Sequence, residues 1–198
     1  MKLIALSGQW RTLPRGRDMR QFICRVDAAD RIAFVDASWV AFAAENGAPA
    51  LTAASVQGTA LWNYVSEEVT REFYRIFARK VRATGRTIVV PFRCDGPECR
   101  RFMEMSILPL AGGGLEFHSV LLREEARPRV DLLDLDFPRT DQWLTLCAWC
   151  KKAKVAGWVE VEEAVRQLGL FESARLPRIT HGVCPACEQA FESALRSA

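Results

Sequence analysis

Apolar and polar positions alternate along much of the first two thirds of the chain, and the period of the alternation marks out a run of elements. Phe22–Val26 and Arg31–Val35 carry the two-residue period of strands, and the Asp27-Ala28-Ala29-Asp30 stretch between them suits a tight turn, so the pair reads as a hairpin. Ala37–Glu45 has apolar residues at helical spacing and stops at Asn46-Gly47. A longer helix is predicted from Ser66 to Thr84. Ser66 with Glu67 and Glu68 behind it marks the start, Val69, Phe73, Ile76, Phe77 and Val81 form one stripe, and Gly85 ends it. Three strands follow at about Thr87–Cys94, Arg101–Leu108 and Leu115–Leu122, punctuated by Asp95-Gly96-Pro97 and Ala111-Gly112-Gly113-Gly114.

Alternation also assigns faces. Ile88, Val90, Phe92 and Cys94 share one side of the first of these strands, Met103, Met105 and Ile107 one side of the second, and Leu115, Phe117, Ser119 and Leu121 one side of the third. Residues 126–141 hold two prolines and read as an extended linker, docked through Val130, Leu132, Leu135 and Phe137. Beyond it, Val159–Leu168 reads as a helix with Val161, Ala164, Val165 and Leu168 inward.

With 198 residues, of which 49% are hydrophobic, the chain can bury one medium core and a smaller one. The net charge of +3 is uneven: residues 1–20 carry five Lys/Arg against one Asp, whereas 141–198 carry seven of each sign. Only the leading arm is basic, and a short basic arm is ordinarily solvated, so nucleic-acid binding is not expected. The apolar start is too short for a signal-peptide core, and no apolar run reaches the roughly 20 residues that span a bilayer, which points to the cytoplasm and away from a membrane. In that reducing compartment seven cysteines suggest metal or redox chemistry rather than disulfides.

The sharpest chemical signal is Cys147-Ala148-Trp149-Cys150, then 33 residues, then Cys184-Pro185-Ala186-Cys187. Two such pairs can present four thiolates to one tetrahedral ion, and the spacing favours structural Zn2+ over iron or a redox dithiol, both of which use the same residue types. His181, three residues before Cys184, is a candidate alternative ligand or a support to the ligands. Lys151, Lys152 and Lys154 are read as solvated. Neither pair is followed by histidine, which excludes c-type haem attachment. No phosphate loop, zinc-protease motif or nucleophile elbow occurs, so an enzyme is not expected.

The order of elements, with Arg25-Val26-Asp27 and Asp30 to Val35 as paired opening strands, Gly58-Thr59-Ala60-Leu61-Trp62 entering the long helix, and Pro91 to Asp95 with Arg100 to Met105 as a central hairpin, resembles the PAS-domain family over residues 21–125. The resemblance implies an α+β, PAS-like five-stranded antiparallel sheet with helices on one face, and the spacing of the four cysteines adds a small zinc-binding module at 142–198. It implies sensing: PAS domains hold haem, flavin or small organic ligands, or mediate dimerisation. Haem requires an axial ligand, and His118 shares a polar strand face with Glu116; the reactive-cysteine helix motif of photoactive flavin members is absent. Haem and photoactive flavin are therefore disfavoured. The candidate pocket for a small organic ligand is lined by Cys24, Phe34, Val90, Phe92, Cys94, Met103, Met105, Phe117 and Ser119, positions that a filled core would equally explain.

The tail, with Cys147 to Lys152, Trp158, Glu160–Glu163 and His181 to Cys187, resembles a segment found at the end of bacterial PAS-containing signalling proteins. Together these features lead us to expect a homodimeric sensor or adaptor in bacterial signal transduction, with a protein partner for the zinc module. The alternatives are a thiol-based redox protein using one Cys-x-x-Cys pair and, third, a nucleic-acid-binding regulator.

Overall fold

Two carboxylates set the first turn. Asp27 accepts from the backbone N–H groups of Ala29 and Arg31, both at 2.9 Å, and Asp30 adopts a left-handed φ of 59°, so β1 (Gln21–Val26) reverses directly into β2 (Ile32–Val35). The computed structural model describes residues 20–65 and 68–198. All of the expected basic arm except Arg20, and the Ser66-Glu67 helix start, lie outside them. Asp36 caps α1 (Ala37–Glu45) by accepting from Trp39 N–H at 2.8 Å; α2 (Ala53–Val56) carries a Thr52/Ser55 capping box; and a 3-10 turn at Leu61–Tyr64 leads toward α3 (Glu68–Thr84).

Strands β3 (Ile88–Arg93), β4 (Cys99–Pro109) and β5 (Leu115–Ala126) complete an antiparallel sheet in the order β2-β1-β5-β4-β3. Ile88, Met105, Ile107 and Leu115 on one face share a buried cluster with Ala43 of α1 and Phe77 and Val81 of α3. The opposite face exposes Phe34, Val89 and Leu122. This is the PAS-like arrangement, a five-stranded antiparallel sheet with helices on one face. Arg82 pins α3 to both turns at one end of the sheet, donating to Gly113 O at 2.8 Å and to Asp30 Oδ1 at 2.6 Å. Gly114 permits the close approach there, since a Cβ would meet Val26 O at 2.8 Å.

Two sequence expectations shift. The buried face of α3 is Thr70, Tyr74, Phe77, Ala78 and Val81, and Val69 is exposed, so the apolar stripe is rotated toward two residues that carry hydroxyls. A register shift at Phe102/Met103 of β4 leaves Leu122 of β5 without a cross-strand partner and sets Glu124 opposite Arg101, which is buried on the same strand face as Met103 and donates from Nε to Glu124 at 2.6 Å.

The tail adds β6 (Arg139–Cys147), β7 (Ala153–Lys154), β8 (Trp158–Val159), α4 (Val161–Gln167), β9 (Leu176–Gly182) and α5 (Pro185–Ser197), with sheet order β8-β7-β6-β9. The β6/β9 pair is parallel, so both strands end on the same side. A second buried cluster joins Val130 and Leu132 of the preceding segment to Leu144, Leu146, Val161, Ala164 and Val165, while Leu135 and Leu168 stay exposed. No helix among the described residues is long and apolar enough to cross a membrane.

Charged side chains lock the tail to the end of the first sheet. Arg93 donates from Nε and Nη2 to Asp95 and from Nη1 to Glu160 at 2.7 Å; Arg127 donates to Asp95, to Glu162 at 3.1 Å and to Gly96 O at 2.6 Å; Arg100 donates to Glu162 at 2.6 Å. The Asp95 side chain is 1% exposed and shared by two buried guanidiniums. Removing one member of a buried charge cluster leaves its partners uncompensated. Asp95→Asn should therefore lower unfolding free energy by about 3–5 kcal/mol in urea denaturation, whereas Glu192→Gln, in the exposed pair with Arg196, should change it by less than about 1 kcal/mol.

Candidate functional site

The parallel pairing of β6 and β9 brings the two Cys-x-x-Cys segments together. Cys147 ends β6, Cys150 lies in the β6–β7 connection, Cys184 caps α5 and Cys187 sits in its first turn. Their four sulfur atoms all lie within 4.8 Å of one another, and Cys150 Sγ is 3.6 Å from Cys184 Sγ. Four sulfurs around an ion at about 2.3 Å would stand roughly 3.8 Å apart, so the set matches a closed tetrahedral site with no protein-free position.

The surroundings favour thiolate. Cys147 Sγ accepts from Cys184 N–H at 3.5 Å, and the thiols of Cys150 and Cys187, with the backbone N–H groups of Cys150 and Cys184, hold the Cys147 thiol far below its ordinary range. The positive end of α5 adds to this. His181 lies on β9 opposite Leu146 and outside the four-sulfur cluster.

The connection itself is tightly bound. Cys147 N–H donates to Lys152 O at 2.7 Å, Ala148 N–H to Gly182 O at 2.9 Å, and Lys151 takes a left-handed φ of 61°. Lys151 is not solvated as expected. It is buried, and its ammonium folds back onto Ala148 O at 2.6 Å, with burial pushing its pKa down. The following Lys152 is half-buried and Lys154 is exposed.

Trp149, between the first two cysteines, packs its ring against α3 and α5. It is 2% exposed, and its ring lies 4.5 Å from Phe191 of α5, 5.4 Å from Phe73 and 5.6 Å from Tyr74 of α3, centroid to centroid. Its carbonyl accepts from Arg93 N–H at 2.7 Å, at the end of edge strand β3. Trp149, Phe191, Cys147 and Cys184 thus belong to the same buried cluster as the sheet and α3.

Ala148 and Trp149 also wall a cavity of about 160 Å³ between the sheet, α1 and α3. Seven of the nine pocket candidates line it: Cys24, Phe92, Cys94, Met103, Met105, Phe117 and Ser119. Phe34 does not. The shift in the β1/β2 register at Arg25/Val26 turns it outward, where it is 43% exposed beneath the Arg25 guanidinium. Val90 is packed solid in the core cluster and does not reach the cavity. Burial raises the Cys24 thiol to about 12 and raises that of Cys94, so both are neutral at pH 7. His118 stands away from the cavity, paired with Gln21 at 2.9 Å.

The sequence-based candidates left out the rest of the lining, among them Trp39, Tyr64, Thr70, Tyr74 and Trp149. The helical spacing of Thr70 and Tyr74 with Phe77 and Val81 was the available signal for two of them. Trp149 carried none beyond its position between two cysteines.

No family model matches the chain, and no curated protein matches it. Among solved structures that match is one described as "Structure of an RNA-binding Light-Oxygen-Voltage Receptor", 15% identical, aligned over 52% of this chain and 28% of that chain with a TM-score of 0.38. The match thus spans less than a third of that receptor. The fold is defined by its strand order, β2-β1-β5-β4-β3, and its antiparallel register.

Trp149→Ala should cost about 3–5 kcal/mol. Because the ring is shared, thermal unfolding followed in the first domain and in the tail should shift down together, which a fluorescent non-natural amino acid placed at exposed Val89 or Phe171 would record.

Proposed function

We propose that this chain is a sensory or adaptor protein of bacterial signal transduction, in which the PAS-like domain takes a small organic ligand and the four cysteines hold one structural zinc ion. The observation that carries this reading is the position of Trp149, which lies between two of the four cysteines and forms a wall of the cavity. Cavity occupancy and the tail conformation then share one side chain. A guest that presses on the indole presses on α3 through Phe73 and Tyr74, and on α5 through Phe191. Cys147, Cys150, Cys184 and Cys187 would hold the ion, whose contribution is to fix the geometry of the connection that carries Trp149.

The same reading makes the protein a cytoplasmic homodimer that passes its signal to a protein partner, without an enzymatic activity of its own. A cavity of this size suits one ring; haem or flavin would require the wall to be rebuilt. The redox reading is less well supported, because all four thiols converge on one site, with Cys150 and Cys184 of different segments 3.6 Å apart, rather than one Cys-x-x-Cys pair standing by itself.

Purified protein should be colourless and carry about one zinc per chain by elemental analysis, and it should run as a dimer in native mass spectrometry. An iron absorption band, or metal-free reduced protein of unchanged stability, would overturn the metal assignment; a monomer at tens of micromolar would overturn the assembly. Protons compete with the metal for thiolate, so lowering the pH should release zinc and raising it should retain zinc. A chromogenic zinc indicator reads this directly. Cys184→Ser should release the ion at higher pH than the parent and lower the melting temperature of the first domain as well as that of the tail, because Trp149 belongs to both.

A further inference from the structure

Most buried polar groups in proteins are paired, so those left without partners call for an explanation. Asn46, Arg100, Arg127 and Glu162 each have one unpartnered buried atom, yet each is anchored by a hydrogen bond through another atom of the same side chain. Thr70 and Trp149 differ. The Thr70 hydroxyl and the Trp149 indole N–H are the only polar side-chain atoms these residues possess; both are buried without a partner, and both residues line the cavity.

The rest of the lining limits what a guest can be. Among the described residues of the lining Arg93 is the cationic one, and its guanidinium is fully engaged by Asp95 and Glu160. The thiols of Cys24 and Cys94 are neutral. Among the described residues no uncommitted charge therefore stands ready to compensate a carboxylate or an ammonium, and desolvating either would be costly. The remaining walls are largely aromatic and thioether, and the volume is close to that of an engineered cavity of about 150 Å³ that accepts benzene.

We propose that the cavity takes one neutral, single-ring organic molecule bearing a carbonyl-type acceptor, and that this acceptor is met by the Trp149 indole N–H together with the Thr70 hydroxyl. The proposal rests on the reading of the cavity as a ligand site and adds the polar group by which the ligand is selected. The tail connection then supplies a recognition residue as well as a wall, and an apolar ring lacking the acceptor leaves both polar atoms as unpaired as they are without it.

Acetophenone and ethylbenzene, which differ in a carbonyl against a methylene, are the probes. Titrated into the full chain by calorimetry, acetophenone should bind about tenfold more tightly than ethylbenzene. Trp149→Phe, which keeps a ring and removes the N–H, and Thr70→Val, which keeps the shape and removes the hydroxyl, should each bring that ratio toward one while leaving ethylbenzene affinity within about threefold. If Trp149→Phe does not fold, Thr70→Val alone decides. Equal binding of the two probes by the parent, or a ratio untouched by the variants, overturns the hydrogen-bond assignment and leaves the cavity reading standing. Failure of both probes to bind the folded parent at millimolar concentration overturns both.

Discussion

An indole stripped of water is stabilised by whatever apolar surface closes over it, and the Trp149 ring is closed over by two elements far apart in the chain, α3 and α5. Neither covers it alone. The tail consequently cannot be treated as an appendage on a finished domain, since its first cysteine pair delivers a side chain that the core of the sheet and α3 needs to be complete. The polar part of the same junction fixes its orientation: the Arg93 N–H to Trp149 carbonyl bond sets the height of the connection against β3, and the Arg93, Asp95 and Glu160 group holds α4 beside it.

Hydrophobic burial and charge pairing divide the work differently. Burial of Trp149 is tolerant of small rotations, whereas the buried guanidinium–carboxylate cluster is not, because each charge removed from water needs its partner at hydrogen-bond distance. A junction held by both is therefore strong and also registered. That combination suits a wall that must keep its shape while one side of it meets a cavity.

Local pattern made much of this fold legible. The hairpin around Asp27–Asp30, helix Ala37–Glu45, the three later strands and the two cysteine pairs all express rules that act within a few residues, namely alternation, capping and ligand spacing. What stayed hidden depends on partners distant in sequence. The parallel β6/β9 pairing brings two strands together across an intervening hairpin and helix, and nothing in either strand announces it. Phe34 looked inward until a register shift turned it out, and Thr70 and Tyr74 looked outward because their hydroxyls disguise a face that the tail covers. Trp149 is the extreme case: between two cysteines any residue can serve as spacer, and only the arrival of Phe73, Tyr74 and Phe191 makes it central.

The parallel pairing has a further consequence, in time rather than in energy. Each Cys-x-x-Cys is a local unit, available to an ion as soon as its own loop bends, but the complete four-sulfur site exists only after the 33 residues between Cys150 and Cys184 have closed on themselves. A chain emerging from synthesis presents the first pair well before the second. An ion held by these four cysteines would be met by the first pair alone until β9 docks beside β6 and brings the second. Closure of that long loop would set the pace at which the four sulfurs come together.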